Sequence, residues 1–360
     1  MKKIVGTIAA IALATSAAFA EVNVGMGFNR GFFTPFAYDG NAKADISTSW
    51  DAQPRIGVSF SAASEQVGVV ADVKFDGGSV AVNDNAYIWV KPVSWFKMNI
   101  GQSFDDTLRG NACFGLWDWL RPGKIIGDDV TFVRVCKNPL SGAYTPLEGA
   151  ILMLDPVEGL HISVGLPITG YAAQTWENVG SHIQVAAGYT IADILQIKAQ
   201  WIGNGTSADN QVQGVINAAV SLKAVENMTL DAGVFFNTAK NSNIDIGLFW
   251  SMPISVVTLS VNGKLSLATV DTAATTVNAG AALAFDVGNG FGAGVDVRYS
   301  QSFQKNVNTD PAIAFGAWLD KGIANGTLGV GVECGMKTKI RDFDAADFSV
   351  AVPVRVQCFF

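Results

Sequence analysis

The stretch SVVTLSVNGKLSL, residues 255 to 267, changes between apolar and polar at almost every step. On a strand, Val257, Leu259, Val261, Leu265 and Leu267 face one side and Thr258, Ser260, Asn262, Lys264 and Ser266 the other. The same period returns in NMTLDAGVFFN, FGAGVDVRYS and TLGVGVECGMK, at residues 227 to 237, 291 to 300 and 327 to 337. Segments of about ten residues have the length of a tilted strand that crosses a bilayer. The polar sides carry full charges and many glycines, while the apolar sides are nearly uninterrupted. Beyond residue 20 there is no predominantly apolar run of about 18 residues. The nearest, IGLFWSMPISVVTLSVNG at 246 to 263, contains Pro253 and Asn262 and itself alternates. The chain is expected to build sheet rather than spanning helix, with either a soluble core or lipid against its apolar side.

The N-terminus supplies the compartment. MKKIVGTIAAIALATSAAFA has Lys2 and Lys3, an apolar stretch from Ile4 to Ala14, and small residues closing on Ala18-Phe19-Ala20. That is the layout of a cleaved secretory signal, residues 1–20, which leaves residues 21–360 as one domain. Without the two lysines, 22 Lys+Arg face 31 Asp+Glu, a net charge of −9, so nucleic acid is an unfavourable partner. No linker, charge block or low-complexity tract divides the remainder.

Alternation places strands near 21–28, 53–62, 66–75, 84–92, 95–104, 148–155, 157–167, 180–191 and 193–203. The second half adds 211–223, 226–238, 241–252, 254–267, 274–287, 289–301, 311–320, 323–337 and 345–359. These are about 18 strands, and 16 is the other even count, because those at 84, 148 and 311 alternate least clearly. The connections sort by length. Short turns (63–66, PVSW, PVEG, IAD, AVEN, MPIS, VGNG, DKGIANG) alternate with stretches at 29–52, 76–83, 105–147, 168–179, 204–210, 238–241, 268–273, 302–310 and 338–344 that, except at 238–241 and 268–273, exceed the turns or equal the longest. A membrane barrel with short periplasmic turns and longer outside loops has this layout; a soluble sandwich has no reason for it. The expected fold is all-β: a transmembrane antiparallel up-and-down β-barrel.

The chain ends VAVPVRVQCFF, with Val352, Val354, Val356, Cys358 and Phe360 at alternate positions. This resembles the C-terminal strand of bacterial outer-membrane proteins, which implies residence in that membrane, lipid contact, and recognition by its barrel-assembly machinery. Pro353 departs from the pattern, since it cannot donate to a ladder. In layout the chain resembles the porins, in which the third outside loop is longest and folds inward to narrow the barrel. Here the third predicted outside loop, 105–147, is the longest, with Asp105, Asp106, Asp118, Asp128 and Asp129 beside Arg109, Arg121, Lys124, Arg134 and Lys137. Opposed charges across a constriction would set a transverse field favouring polar solutes. Trp117, Trp119 and Leu120 favour the inward fold over a solvated surface loop.

The predicted lumen carries Arg55, Lys74, Lys97, Lys198, Lys264, Arg298 and Arg355 against Asp72, Asp231, Asp245, Asp296 and Glu333, with signs nearly balanced, so weak charge selectivity is expected. Cys113 and Cys136 lie in the long loop, where a disulfide would add ~3 kcal/mol in the chain-entropy model. Cys334 and Cys358 sit at opposite ends of the last hairpin and are expected as free thiols. The only histidines, His161 and His182, fall about four residues out of register, roughly 13 Å at the strand rise, each a lone lumenal group. With no nucleophile, metal cluster or phosphate loop, an enzyme is not expected, nor a cofactor; GNGFGAG at 288–294 is a turn followed by strand glycines. The expected function is passive diffusion of small hydrophilic solutes and ions, with a homotrimer open. A surface adhesin or antigen on a barrel, or a substrate-specific uptake channel, are the alternatives.

Overall fold

The computed structural model describes residues 21–26, 29–38, 47–49, 56–76, 79–110, 133–136, 145–168, 175–192, 194–207, 209, 211–222, 224–238, 243–305, 307, 309–338 and 347–358. Twenty strand segments form one sheet. They are β1 (Glu21–Met26), β2 (Asn29–Tyr38), β3 (Ser47–Ser49), β4 (Ile56–Ala63), β5 (Val67–Asp76), β6 (Ser79–Val93), β7 (Phe96–Ser103), β8 (Leu147–Leu154), β9 (Leu160–Pro167) and β10 (Gln184–Ile191). The rest are β11 (Leu195–Thr206), β12 (Val212–Leu222), β13 (Thr229–Asn237), β14 (Asn243–Ile254), β15 (Val257–Ala268), β16 (Thr275–Gly288), β17 (Phe291–Phe303), β18 (Ala312–Ile323), β19 (Gly326–Met336) and β20 (Ser349–Cys358).

Every neighbouring pair is antiparallel. β1 pairs with β4, while β2, next in sequence after β1, pairs with β3 on one side and β20 on the other. Taking β1 with β2 and β3 with β4 as single passes, the twenty segments make eighteen passes. Each is hydrogen-bonded to the next and the last to the first. The sheet is thus an up-and-down barrel without a free edge, the arrangement that lets strands cross hydrocarbon.

Burial is inverted relative to a soluble protein. On β17, Val297 is 45% exposed while its neighbours Asp296 and Arg298 are 3% and 1% exposed. Val330, Val332, Leu248 and Val356 are likewise exposed, and Glu333, Asn262 and Arg355 buried. The apolar sides form the outer surface and the polar sides the inner one. On β20, Val352, Val354, Val356 and Cys358 take the outer side and Ala351, Arg355 and Gln357 the inner.

The short turns are built for tight reversal. Ala192, Asn227, Ser255, Asn289 and Asn325 all have positive φ, and all lie in predicted periplasmic turns. Asn289 (φ 55°) and Gly290 (φ 75°) close β16 on β17 as an Asn-Gly pair, which suits the strand twist.

The strand limits differ in places from the sequence reading. The predicted first strand, 21–28, is followed by a further strand, β2, within the stretch read as an outside loop. The alternation there is masked by Gly31 and Pro35, and the ladder to β20 shifts register between Phe33 and Phe36, where Pro35 could not have donated. On β20 itself the ladder residues on both flanks skip Pro353. The predicted strand at 180–191 begins only at Gln184, because a short helix, α1 (Trp176–Ser181), precedes it. Thr175 caps α1 by accepting the Asn178 amide at 3.2 Å. The expected signal at 1–20, the terminal Phe360, and Arg55 lie outside the described residues.

Candidate functional site on the inner wall

The long connection after β7 turns into the barrel. Asp105 and Val135, thirty residues apart, exchange two backbone hydrogen bonds of 3.1 Å, pairing the outgoing and returning legs of the loop. Both legs lie against the inner side of β8 to β12. Leu108, Val133 and Val135 pack with Leu147, Ile151 and Met153 of β8, Ala186 of β10 and Ala219 of β12. Burying three such loop side chains stabilises the seat by about 1.5–3 kcal/mol each. This explains why β8 alternates so poorly in sequence: its outer side meets lipid and its inner side meets the loop.

Glycines make room for the legs. A Cβ at Gly165 on β9 would lie 2.5 Å from Val135 Cγ1 and 2.9 Å from Leu147 Cδ1, and one at Gly188 on β10 would collide with Leu108. Glutamines then hold the backbone. Gln200 Oε1 on β11 accepts the Arg134 amide at 2.7 Å, and Gln184 Oε1 on β10 accepts the Cys136 amide at 3.1 Å, while Gln184 Nε2 donates to the Cys136 carbonyl. Neither glutamine stands out in the sequence.

Asp105 is the charged anchor. Its Oδ1 accepts from the Thr107 amide at 3.0 Å and the Thr107 hydroxyl at 2.6 Å. Its Oδ2 meets His161 Nε2 at 2.8 Å and accepts from the Ser163 hydroxyl. His161 Nδ1 in turn lies 2.7 Å from Asp155 Oδ1 in the turn between β8 and β9. Burial pushes the Asp105 carboxyl up, but the bonds from His161, Ser163 and Thr107 outweigh it and hold the carboxyl down at about 2. His161 is therefore not the lone lumenal histidine read from sequence. His182, at the C-terminal end of α1, has Nδ1 2.8 Å from the Asn178 carbonyl. The register pairs Gly188 with His161, so the two histidines are six residues out of step, not four. Asp155, His161 and Ser163 align like a catalytic relay, yet Ser163 is fully buried and its hydroxyl donates to Asp105.

Among the residues expected at the constriction, Asp105 and Arg134 are buried anchors, whereas Asp106 and Arg109 are exposed. Arg134 pairs with Asp106, with its Nη2 3.0 Å from Oδ2, and its guanidinium lies 3.7 Å from the Phe104 ring centroid. Arg109 lies 3.8 Å from the same Asp106 carboxylate. Asp118, Arg121, Lys124, Asp128, Asp129 and Lys137, with Trp117, Trp119 and Leu120, fall outside the described residues. The expected Cys113–Cys136 bridge is not formed: Cys136 is a free thiol, and burial pushes it up to about 12. Its backbone is fixed by Gln184 instead, so the leg is held without a crosslink. Cys113 is outside the described residues, and Cys334 and Cys358 are free.

The rest of the wall pairs its charges internally. Lys198 Nζ donates to Ser221 at 2.8 Å and lies 3.9 Å from Asp231. Lys264 lies 3.2 Å from Asp245, Arg298 3.5 Å from Asp296, and Arg355 2.7 Å from Asp320. Glu333 is buried near the Asp296 and Arg298 level, Asp72 accepts from Ser59 and Asn85, and Lys97 sits 5.3 Å from the Trp89 ring centroid. Lys74 is half-buried on β5. Among the described residues no group of His, Cys, Asp and Glu could hold a metal ion.

No protein-family model matches this chain, and neither does any curated protein sequence. Solved structures do. OmpT, an outer membrane protein of Vibrio cholerae folded in vitro, aligns with TM-score 0.51 at 11% identity, over 95% of this chain and 98% of that one. The anion-selective porin of Comamonas acidovorans gives 0.51 at 10%, over 95% and 100%. A multiple mutant of the Rh. blastica porin gives 0.52 at 12%, over 94% and 100%. At such identities the likeness is one of architecture. Eighteen passes, an inverted surface and an inward loop share the fold of the outer-membrane porins.

Proposed function

We propose that this chain is a passive diffusion channel of the bacterial outer membrane for small hydrophilic solutes and ions. The observation that carries the reading is the closure of eighteen passes around a polar inner side, with an apolar outer side. Barrels of 16 to 18 strands leave an aqueous channel. The legs of the loop after β7 narrow it, and their exposed Asp106 and Arg109 belong to the constriction. Weak charge selectivity is supported by the wall's internal pairing, since paired charges leave little net field for a passing ion. The chain reaches the membrane after removal of residues 1–20 and is inserted through recognition of Val352, Val354, Val356, Cys358 and Phe360.

Liposome swelling tests the reading. Vesicles containing the refolded protein should swell in arabinose and glucose and progressively less in di- and trisaccharides, without saturation. Swelling that saturates for one sugar and excludes its isomers would replace free diffusion with substrate-specific uptake.

A further inference from the structure

We infer that His161 is the positioning residue that seats the inward loop, and that it does so as an imidazolium donating to two carboxylates at once. The geometry requires this. Nδ1 lies 2.7 Å from Asp155 Oδ1 and Nε2 2.8 Å from Asp105 Oδ2, and both partners are carboxylate oxygens that only accept when ionised. Asp105 stays ionised because it also receives the Thr107 amide, the Thr107 hydroxyl and the Ser163 hydroxyl. A neutral ring has one N–H. Its bare nitrogen would face a carboxylate at under 3 Å in a buried site, where an unmatched acceptor is costly. Ser163 cannot repair both contacts, since its single proton serves either Asp105 Oδ2 or His161 Nε2, 2.9 Å away.

The position makes the ring a link between parts. Asp105 belongs to the outgoing leg of the loop, Asp155 to the turn after β8, and His161 to β9. Beside the ring lies a partly open cavity of about 300 Å³, lined by Thr107 and Leu108 from the loop, Glu158 from the turn, and Thr190 and Gln196 from the wall. Water entering there reaches the imidazole, so a residue only 6% exposed can still exchange its proton with solvent. The groups facing the link are Asp105 from the loop, Asp155 and Glu158 from the turn, and Ser163 from β9. Lys97 on β7 acts electrostatically on Asp105, and Lys198 on β11 is held one layer back by Gln196.

The consequence is a seat that is firm while the ring is charged and loosens as rising pH removes its second proton. The effect on current rests on the channel reading; the state of the ring does not. Protein labelled with ¹⁵N in histidine has two imidazoles, and His161→Gln identifies which signals belong to this ring. At pH 6 the His161 ring should show two protonated nitrogens. In planar bilayers, the frequency of current fluctuations should rise about tenfold as the pH passes the loss of that signal, the scale of losing one charge-assisted hydrogen bond. His161→Gln should fluctuate at all pH values. Asp155→Asn, an exposed site that leaves the fold intact, should shift the transition to lower pH, and Glu226→Gln, in the exposed turn between β12 and β13, should leave fluctuations at pH 6 unchanged. A ring with one protonated nitrogen at pH 6 overturns the inference, as do fluctuations independent of pH in a channel whose ring titrates. A ring that titrates as expected in a protein that never conducts sinks the channel reading and leaves the link standing.

Discussion

The two halves of the wall use the same alternating code differently. Around β7 to β10 the strands have eight residues each, and their inner side chains bond to the chain's own loop. Around β14 to β19 the strands have 11 to 14 residues, and inner charges bond to one another: Asp245 to Lys264, Asp296 to Arg298 and Asp320 to Arg355. The near sector is a socket, made from glycine slots at Gly165 and Gly188 and clamps at Gln184, Gln200 and His161. The far sector is a self-contained wall. Inward polarity alone therefore does not mark a residue as pore-lining; the partner it bonds to decides its role.

The largest effect should come from opening a buried pair in the wall. Asp231→Ala, which removes the buried carboxylate facing Lys198 and the acceptor of the Ser221 hydroxyl, should destabilise the barrel by about 3–5 kcal/mol in urea unfolding from lipid. The socket should respond differently. Gly165→Val drives a side chain into Val135 and Leu147 and should unseat the loop at about 1–3 kcal/mol, read as greater proteolysis of the loop with the barrel still folded. Gly292→Val in the far sector, where the nearest atom to a new Cβ is 3.8 Å away, should leave proteolysis unchanged. Equal responses from the two glycines would erase the distinction between the sectors.

Acid should act on the socket next. The Asp105 carboxyl is held at about 2 against its usual 3.8, so its contribution is present above about pH 4 and is lost as the pH falls toward 2. The shift corresponds to about 2 kcal/mol, and protease protection of the loop should fall across that window in wild type and not in Asp105→Asn. Gln200→Ala, which leaves the buried Arg134 amide unmatched, should loosen the returning leg by about 1–3 kcal/mol, visible as faster amide exchange at 134 and 135. The smallest effect belongs to the rim: Lys337→Ala removes fully exposed contacts with Asp310 and Asp347 and should leave unfolding unchanged.

Alternation made the wall legible almost strand for strand, because one side meets hydrocarbon and the other does not. It failed where that contrast is absent. β8 is apolar on both sides since the loop covers Ile151 and Met153. β2 hides its period behind Gly31 and Pro35, and α1 is too short for helical periodicity to show. The socket was less legible than the wall. Asp105 and Arg134 could be named from loop charge, but their pairing with His161 and Asp106 depends on strand register and loop path, which local sequence does not encode. Gln184, Gln200, Gly165 and Gly188 look like any other inward positions, and only the seated loop sets them apart. The cysteines misled for a related reason: the spacing of Cys113 and Cys136 permits a bridge, but Cys136 is fixed by Gln184 instead.

Single-channel recording of the refolded protein in a planar bilayer tests the central claim most directly. The account expects stable ohmic steps of one size at neutral pH, weakly selective between cations and anions, from protein whose sheet content shows it to be folded. Folded protein that inserts and never conducts would contradict it, and the barrel would then be a closed scaffold rather than a channel.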